Sequence, residues 1–270
     1  MMSEEKPKRG GFQRREPTEA EFREKSRLTL AHSSDEYRFG TGPEKDKGRM
    51  ERTELWCVRT SGVLKADYVA ILKGIQKIID ESQRAITIVD YDIWNVGPGD
   101  FQSSDWYQEQ ALLSSNRGYG SQANAEVLAN LCIREPHQKK PHLDLIVVDK
   151  DITIGDFRFV YGFTQYPVQV ISTKRFLSVE KHLRERCLML VAAHEFGHGL
   201  GLVNRSSNYG FHCAGKKGRC LMQSIEYGDH FVRLEEQAVL VTPQKKWLCE
   251  ECFAEVAYKR ETLRKNRVYW

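Results

Sequence analysis

The chain has 270 residues, 40% of them hydrophobic, and a formal net charge of +4 at pH 7. That length allows one large domain or two small ones with a sizeable core, and so slight a positive excess does not by itself call for nucleic acid. No apolar run approaches the roughly 18 residues of a membrane span, and the opening MMSEEKPKRGG lacks the apolar stretch of a signal peptide. A cytoplasmic protein with no membrane partner is therefore expected. The seven cysteines agree, because an odd count in an intracellular chain argues for metal ligation or buried thiols over a disulfide framework.

Residues 1–50 carry mixed-sign charge and few aliphatics, which predicts a disordered tail ahead of a folded region over 51–270. The first strand is expected at Leu55–Val58. Leu64, Tyr68, Leu72, Ile75 and Ile79 then recur at helical spacing, predicting an amphipathic helix from Leu64 to Ser82. Ile86–Val89 reads as the next strand, giving a βαβ start to an α/β sheet. Asn95–Gly120 reads as an irregular crossover, after which Ser121 is expected to cap a helix ending at Ile133, with Pro136–Pro141 breaking it. Leu143–Val148 is apolar throughout, as in a strand buried on both faces. Two further strands, Phe157–Phe163 and Val168–Ser172, are joined by a tight turn at Tyr166-Pro167.

Leu183, Cys187, Leu190, Val191, His194 and His198 continue at helical spacing. Ser178 is the expected N-cap of this helix, and Gly199 and Gly201 its terminators. Near its end His194, Glu195 and His198 form H-E-x-x-H. Residues four apart share a helix face, so both imidazoles can reach one ion, and nitrogen donors in a tetrahedral set suit Zn²⁺. Glu195 is placed to take a proton from a water beside that ion. The competing reading is two core histidines satisfied by hydrogen bonds beside an incidental glutamate.

Four of the cysteines, Cys213, Cys220, Cys249 and Cys252, form two pairs bracketing the C-terminal third. Thiolates so spaced suit a closed structural zinc site, the alternative being a redox pair at Cys249-x-x-Cys252. Cys57, Cys132 and Cys187 sit among apolar neighbours and read as core residues. From Trp247 onward the chain reads as a helical tail rich in Lys and Arg, with no recognisable nucleic-acid motif.

Gly201 follows His198 by three, and then come His212-Cys213, Cys220-x-Met222 and Cys249-x-x-Cys252. This order resembles the archaemetzincins, a branch of the metzincin zinc peptidases. Their pattern runs H-E-x-x-H-x-x-G-x-x-H-C, then C-x-M, then C-x-x-C. Asn116–Gln122, Asp149-Lys150-Asp151, Phe159–Phe163 and Val170–Phe176 resemble the family's Arg/Gln, D-x-D, F-V-F-G and S-x-x-R-F elements. The resemblance spans most of the chain from about residue 85. One departure stands out: where the family places its third histidine, this chain has Asn204, and the His-Cys adjacency returns only at His212-Cys213 after the extra segment RSSNYGF.

The resemblance implies a metzincin-like zincin fold, a mixed twisted sheet packed on an active-site helix, with a C-terminal four-cysteine zinc module over 213–270. It implies two zinc ions per chain. One is catalytic, on His194, His198 and a displaced third ligand His212, with Asn204 the weaker candidate because an amide oxygen is a poor zinc donor. The other is structural, on Cys213, Cys220, Cys249 and Cys252. Phe157–Phe163 becomes the expected rim strand for an extended peptide or protein substrate, and Met222 the methionine under the catalytic zinc. The expected function is zinc-dependent peptide-bond hydrolysis with Glu195 as general base. The rivals are a zinc-stabilised binding protein on the same scaffold and a nucleic-acid binder using the basic tail.

Overall fold

A computed structural model describes residues 54–93, 103–114, 122–133, 142–155, 159–202, 213, 220–223 and 230–265, without the side chains of 230–233 and 259–265. In chain order the elements are β1 (Glu54–Arg59), α1 (Lys65–Ser82), β2 (Thr87–Ile93), α2 (Ser104–Leu113), β3 (Gln122–Asn124), α3 (Ala125–Ile133), β4 (Leu143–Val148), β5 (Asp151–Thr153), β6 (Gly162–Gln165), β7 (Val168–Ser172), α4 (Lys181–Gly199), α5 (His230–Val241) and α6 (Glu250–Lys265). The main sheet has the order β2-β1-β4-β7-β6, parallel except for β6, and β3 pairs with β5 beside it.

Alternation along β4 shows how the layers form, because successive side chains of a strand point to opposite faces. Leu143, Leu145 and Val147 join one core with Ile71, Ile75 and Ile78 of α1 and Leu190, Ala193 and Phe196 of α4. Ile146 and Val148 join a second core with Tyr107 and Ala111 of α2 and Leu128 and Ala129 of α3. The sheet therefore lies between two helix layers, the mixed α/β architecture expected, and β4 is buried along its whole length. None of the described helices is long and apolar enough to cross a membrane.

Several local expectations are corrected. The stretch read as an irregular crossover contains α2, whose Ser103 side chain accepts from the Trp106 amide. Its apolar residues are diluted by Gln, Ser and Asp, so the helical period is faint. Ser121 lies outside the described residues, and the cap of α3 is Asn124, whose side chain accepts from the amides of Glu126 and Val127. The Phe157–Phe163 strand is shifted: Phe157 lies outside the described residues, Val160 makes a single bridge to Ile152, and the paired strand is Gly162–Gln165. Glu180, not Ser178, caps α4, accepting from the amides of His182 and Leu183. The long connection after Met222 holds a helix of its own, α5. The tail over 1–50 and the Arg/Gln element up to Ser121 lie outside the described residues.

Helices α1 and α4 pack together at Gly74, where an added Cβ would sit 2.7 Å from the Met189 Cα and against its carbonyl. Backbone cannot step aside as a side-chain tip can, so the helices would separate. Gly74→Ala should cost about 3 kcal/mol of stability, the upper end of overpacking penalties. Urea unfolding of the variant against the wild type measures it.

Candidate metal centres and active site

The C-terminal end of α4 is closed by the amides of Leu200, Gly201 and Leu202, which donate to the carbonyls of Phe196, His198 and Gly197. Gly201 has φ +81°, a left-handed turn that glycine adopts without Cβ strain. Gly199 is still helical; Gly201 makes the exit. One turn earlier, Nε2 of His194 and Nε2 of His198 lie 3.1 Å apart, with the rings nearly perpendicular. Two nitrogens at about 2.0–2.1 Å from one tetrahedral zinc would be separated by about 3.3 Å, so this pair fits two corners of such a site. His194 Nδ1 lies 2.8 Å from the Leu221 carbonyl. A carbonyl can only accept, so Nδ1 carries the proton and the Nε2 lone pair faces the other histidine. His212 and Asn204 both lie outside the described residues.

Glu195 sits between the two histidines in sequence. Its Oε2 accepts from the Thr164 hydroxyl at 2.8 Å, and the same oxygen of Thr164 is 2.9 Å from the Glu195 main-chain carbonyl. Burial pushes the Glu195 carboxyl up to about 7, partly opposed by the Thr164 hydrogen bond. Such a group can both accept and release a proton near neutral pH. Met222 is buried, and a Cβ on Gly197 would sit 2.5 Å from its Sδ, so the thioether lies against the helix backbone between the histidines.

The four cysteines expected to act together do meet. The sulfurs of Cys213, Cys220, Cys249 and Cys252 all lie within 4.8 Å of one another, with Cys213–Cys249 at 3.6 Å and Cys220–Cys252 at 3.8 Å. Four thiolates about 2.3 Å from one zinc would be separated by about 3.8 Å, so the cluster fits a closed tetrahedral site. The adjoining Cys252 sulfur and the hydrogen bond from the Cys249 amide hold the Cys220 thiol below its ordinary range, favouring its thiolate. All seven cysteines are free of disulfides, and Cys57, Cys132 and Cys187 are buried as expected of core residues. The Cys249-x-x-Cys252 redox alternative gains no support, since each of these sulfurs pairs with the other half of the cluster.

The two centres share the segment Cys220-Leu221-Met222. The Leu221 amide donates to the Trp247 carbonyl, and the Cys213 amide to the Met222 carbonyl, each at 2.7 Å. The Gln237 side chain donates to the Cys220 carbonyl. Beneath them, the Glu81 carboxylate at the end of α1 accepts from the amides of Trp247 and Leu248, just ahead of Cys249. Upstream, Arg175 donates to both carboxylate oxygens of Asp151 at 3.0 Å, and its guanidinium lies 3.6 Å over the Phe159 ring. Asp149 is held by Thr60, Gln108 and Lys150. These upstream elements thus brace the loops.

Sequence reasoning missed Thr164, Glu81 and the Leu221 carbonyl, and it named Gly162 within the F-V-F-G-like element without reading its contact with Glu195. Only Gly162 carried a signal, because glycine within a strand marks close approach of another group. A Cβ there would run into Glu195 Cγ and lie 2.9 Å from its Cδ.

No protein-family model matches the chain, and no curated protein does. Solved structures do resemble it. The crystal structure of archaemetzincin from Methanopyrus kandleri superposes with a TM-score of 0.54 at 16% identity, covering 79% of this chain and 98% of that one. Archaemetzincin from Archaeoglobus fulgidus, complexed with malonate, gives 0.45 at 19% identity, over 76% and 99%. A zinc-dependent peptidase from Methanocorpusculum labreanum gives 0.44 at 14%, over 75% and 99%. The first of these likenesses carries the conclusion: this chain has the archaemetzincin fold.

Proposed function

We propose that the protein is a zinc-dependent metallopeptidase hydrolysing peptide bonds in a peptide or protein substrate, with residues 51–270 as the peptidase domain. The observation that carries the reading is the meeting of two imidazole Nε2 atoms on one helix face, with a partly buried carboxylate beside them at an edge strand. His194 and His198 would hold a zinc ion, which would supply a Lewis acid for the scissile carbonyl and lower the pKa of bound water from about 15.7 towards 7.

The protein's own groups would divide the remaining work. Glu195 takes the proton of the attacking water on its carboxylate and returns it to the leaving amine nitrogen. The Leu221 carbonyl keeps His194 in the tautomer whose Nε2 lone pair faces His198. Strand β6, at the edge of the sheet among the described strands, offers its outer backbone to an extended peptide by strand addition. His212 is the proposed third ligand. It is joined by one peptide bond to Cys213, whose amide is tied to the Met222 carbonyl next to α4. Cys213, Cys220, Cys249 and Cys252 would hold a second, structural zinc, making two per chain. A cytoplasmic location is part of the same proposal, since an odd count of seven cysteines argues against a disulfide framework.

Metal content and peptidase turnover together test the reading. Glu195→Ala should keep its zinc and lose roughly a hundredfold to ten-thousandfold in turnover on a fluorogenic peptide library, the usual contribution of a general base. Retained turnover would remove Glu195 from that role. Cys252→Ser and His212→Ala should each lose one zinc equivalent, whereas Asn204→Ala should lose none. A wild-type chain binding one sulfur-held zinc and cleaving nothing would instead be a zinc-stabilised binding protein.

A further inference from the structure

Strand β6 turns two residues toward α4, because side chains two apart share a face. At Gly162 there is no side chain, and the Glu195 methylenes fill the space a Cβ would need. At Thr164 a hydroxyl meets the Glu195 carboxylate at 2.8 Å. The opposite face of the strand is anchored elsewhere: Phe163 packs with the α2–α3 core, and Gln165 donates to the Asn130 side chain of α3 at 3.0 Å. Pairing with β7 fixes the register, Gly162 opposite Ile171 and Thr164 opposite Gln169. The strand is therefore a fixed reference against which the Glu195 side chain is laid.

We propose that Thr164 is the positioning residue for Glu195, its hydroxyl holding the carboxylate in the orientation that accepts the proton while Gly162 leaves room for the side chain to reach it. The proposal rests on the metallopeptidase reading. Glutamate has three side-chain torsions, and ordering such a chain costs conformational entropy. A base free to sample rotamers spends part of its time out of reach, and a misplacement of 1 Å can cost about a hundredfold in rate. The Thr164 bond removes that freedom. It also references the base to β6, the strand that would receive the substrate backbone, so that scissile bond and proton acceptor are set by the same four residues. Glu195 reaches β6 from a helix and the peptide reaches it from the open edge; neither needs the other in place.

The test uses the full-length protein with Thr164→Val, which keeps the shape and removes the hydroxyl, and Thr164→Ser, which keeps the hydroxyl. Thr164→Val should retain its zinc and lose roughly tenfold to a hundredfold in kcat, with KM within about twofold of wild type, since no ground-state contact to substrate is removed. Thr164→Ser should recover most of the loss. Crystal structures of the zinc-loaded proteins give a readout independent of turnover: the Glu195 carboxylate should leave its position in the valine variant and keep it in the wild type and the serine variant. Gly162→Ala should displace it as well, by filling its space. An unmoved Glu195 in Thr164→Val, an unchanged kcat, or a serine variant as impaired as the valine one would each overturn the proposal. A wild type that cleaves no peptide would end the metallopeptidase reading, while the crystal structures would still decide whether Thr164 holds Glu195.

Discussion

The hydrogen bond between His194 Nδ1 and the Leu221 carbonyl is the contact on which the arrangement of both centres turns. A carbonyl in that place fixes the tautomer of the first histidine and the direction in which its Nε2 points. Leu221 is itself fixed on both sides. Cys220 belongs to the sulfur cluster, Met222 is pressed against α4 at Gly197, and the Leu221 amide is bonded to Trp247. Three consecutive residues thus connect the sulfur cluster to the imidazole pair. Loss of the cluster would release this segment, and with it the orientation of His194.

The same economy holds on the far side of the helix. α4 is buried along the face that carries Leu190, Ala193 and Phe196, so its rotation about its own axis is set by the core. His194, Glu195 and His198 must then take the environment this rotation gives them. His194 faces the Leu221 carbonyl, His198 meets His194 at Nε2, and Glu195 faces β6. A single helix phase consequently turns an imidazole toward the Leu221 carbonyl and a carboxylate toward β6 from residues one position apart. Glu81, a buried carboxylate at the end of α1, completes the frame by binding two amides ahead of Cys249. Carboxylate–amide bonds of this charged kind are among the stronger ones available, and removing such a carboxylate would strand two buried donors.

How much of this could be read from the residues alone follows from the range of each interaction. Helices α1 and α4 were legible because their apolar residues repeat at 3.6, and β4 because an unbroken apolar run has few other homes. The grouping of four cysteines was legible because sulfur ligands come in recognisable pairs. By contrast, α2 is capped by Ser103 but diluted with polar residues, and its burial depends on a sheet face that only the tertiary fold supplies. The cap of α4 fell to Glu180 over Ser178 because Ser178 is the last residue of a 3-10 turn over Lys174–Ser178, which periodicity does not reveal. Thr164, Glu81 and the Leu221 carbonyl act on partners 31, 166 and 27 residues away. No local pattern encodes contacts of that separation.

The displaced His-Cys pair shows why fold and spacing can part company. What the proposed site requires of the chain after α4 is two fixed points, the left-handed exit at Gly201 and the tie from the Cys213 amide to the Met222 carbonyl. Between them the length is loosely constrained, since closure entropy grows only by about 0.6 kcal/mol for each doubling of the number of residues joined. An extra segment before His212 therefore asks little of stability, provided the adjacency of His212 to Cys213 is kept, because that one peptide bond couples the proposed third ligand to the sulfur cluster. A histidine at 204 with no such tie would have to be oriented by the loop itself. Adjacency to Cys213, more than distance from the H-E-x-x-H helix, is the feature a ligand at this corner needs.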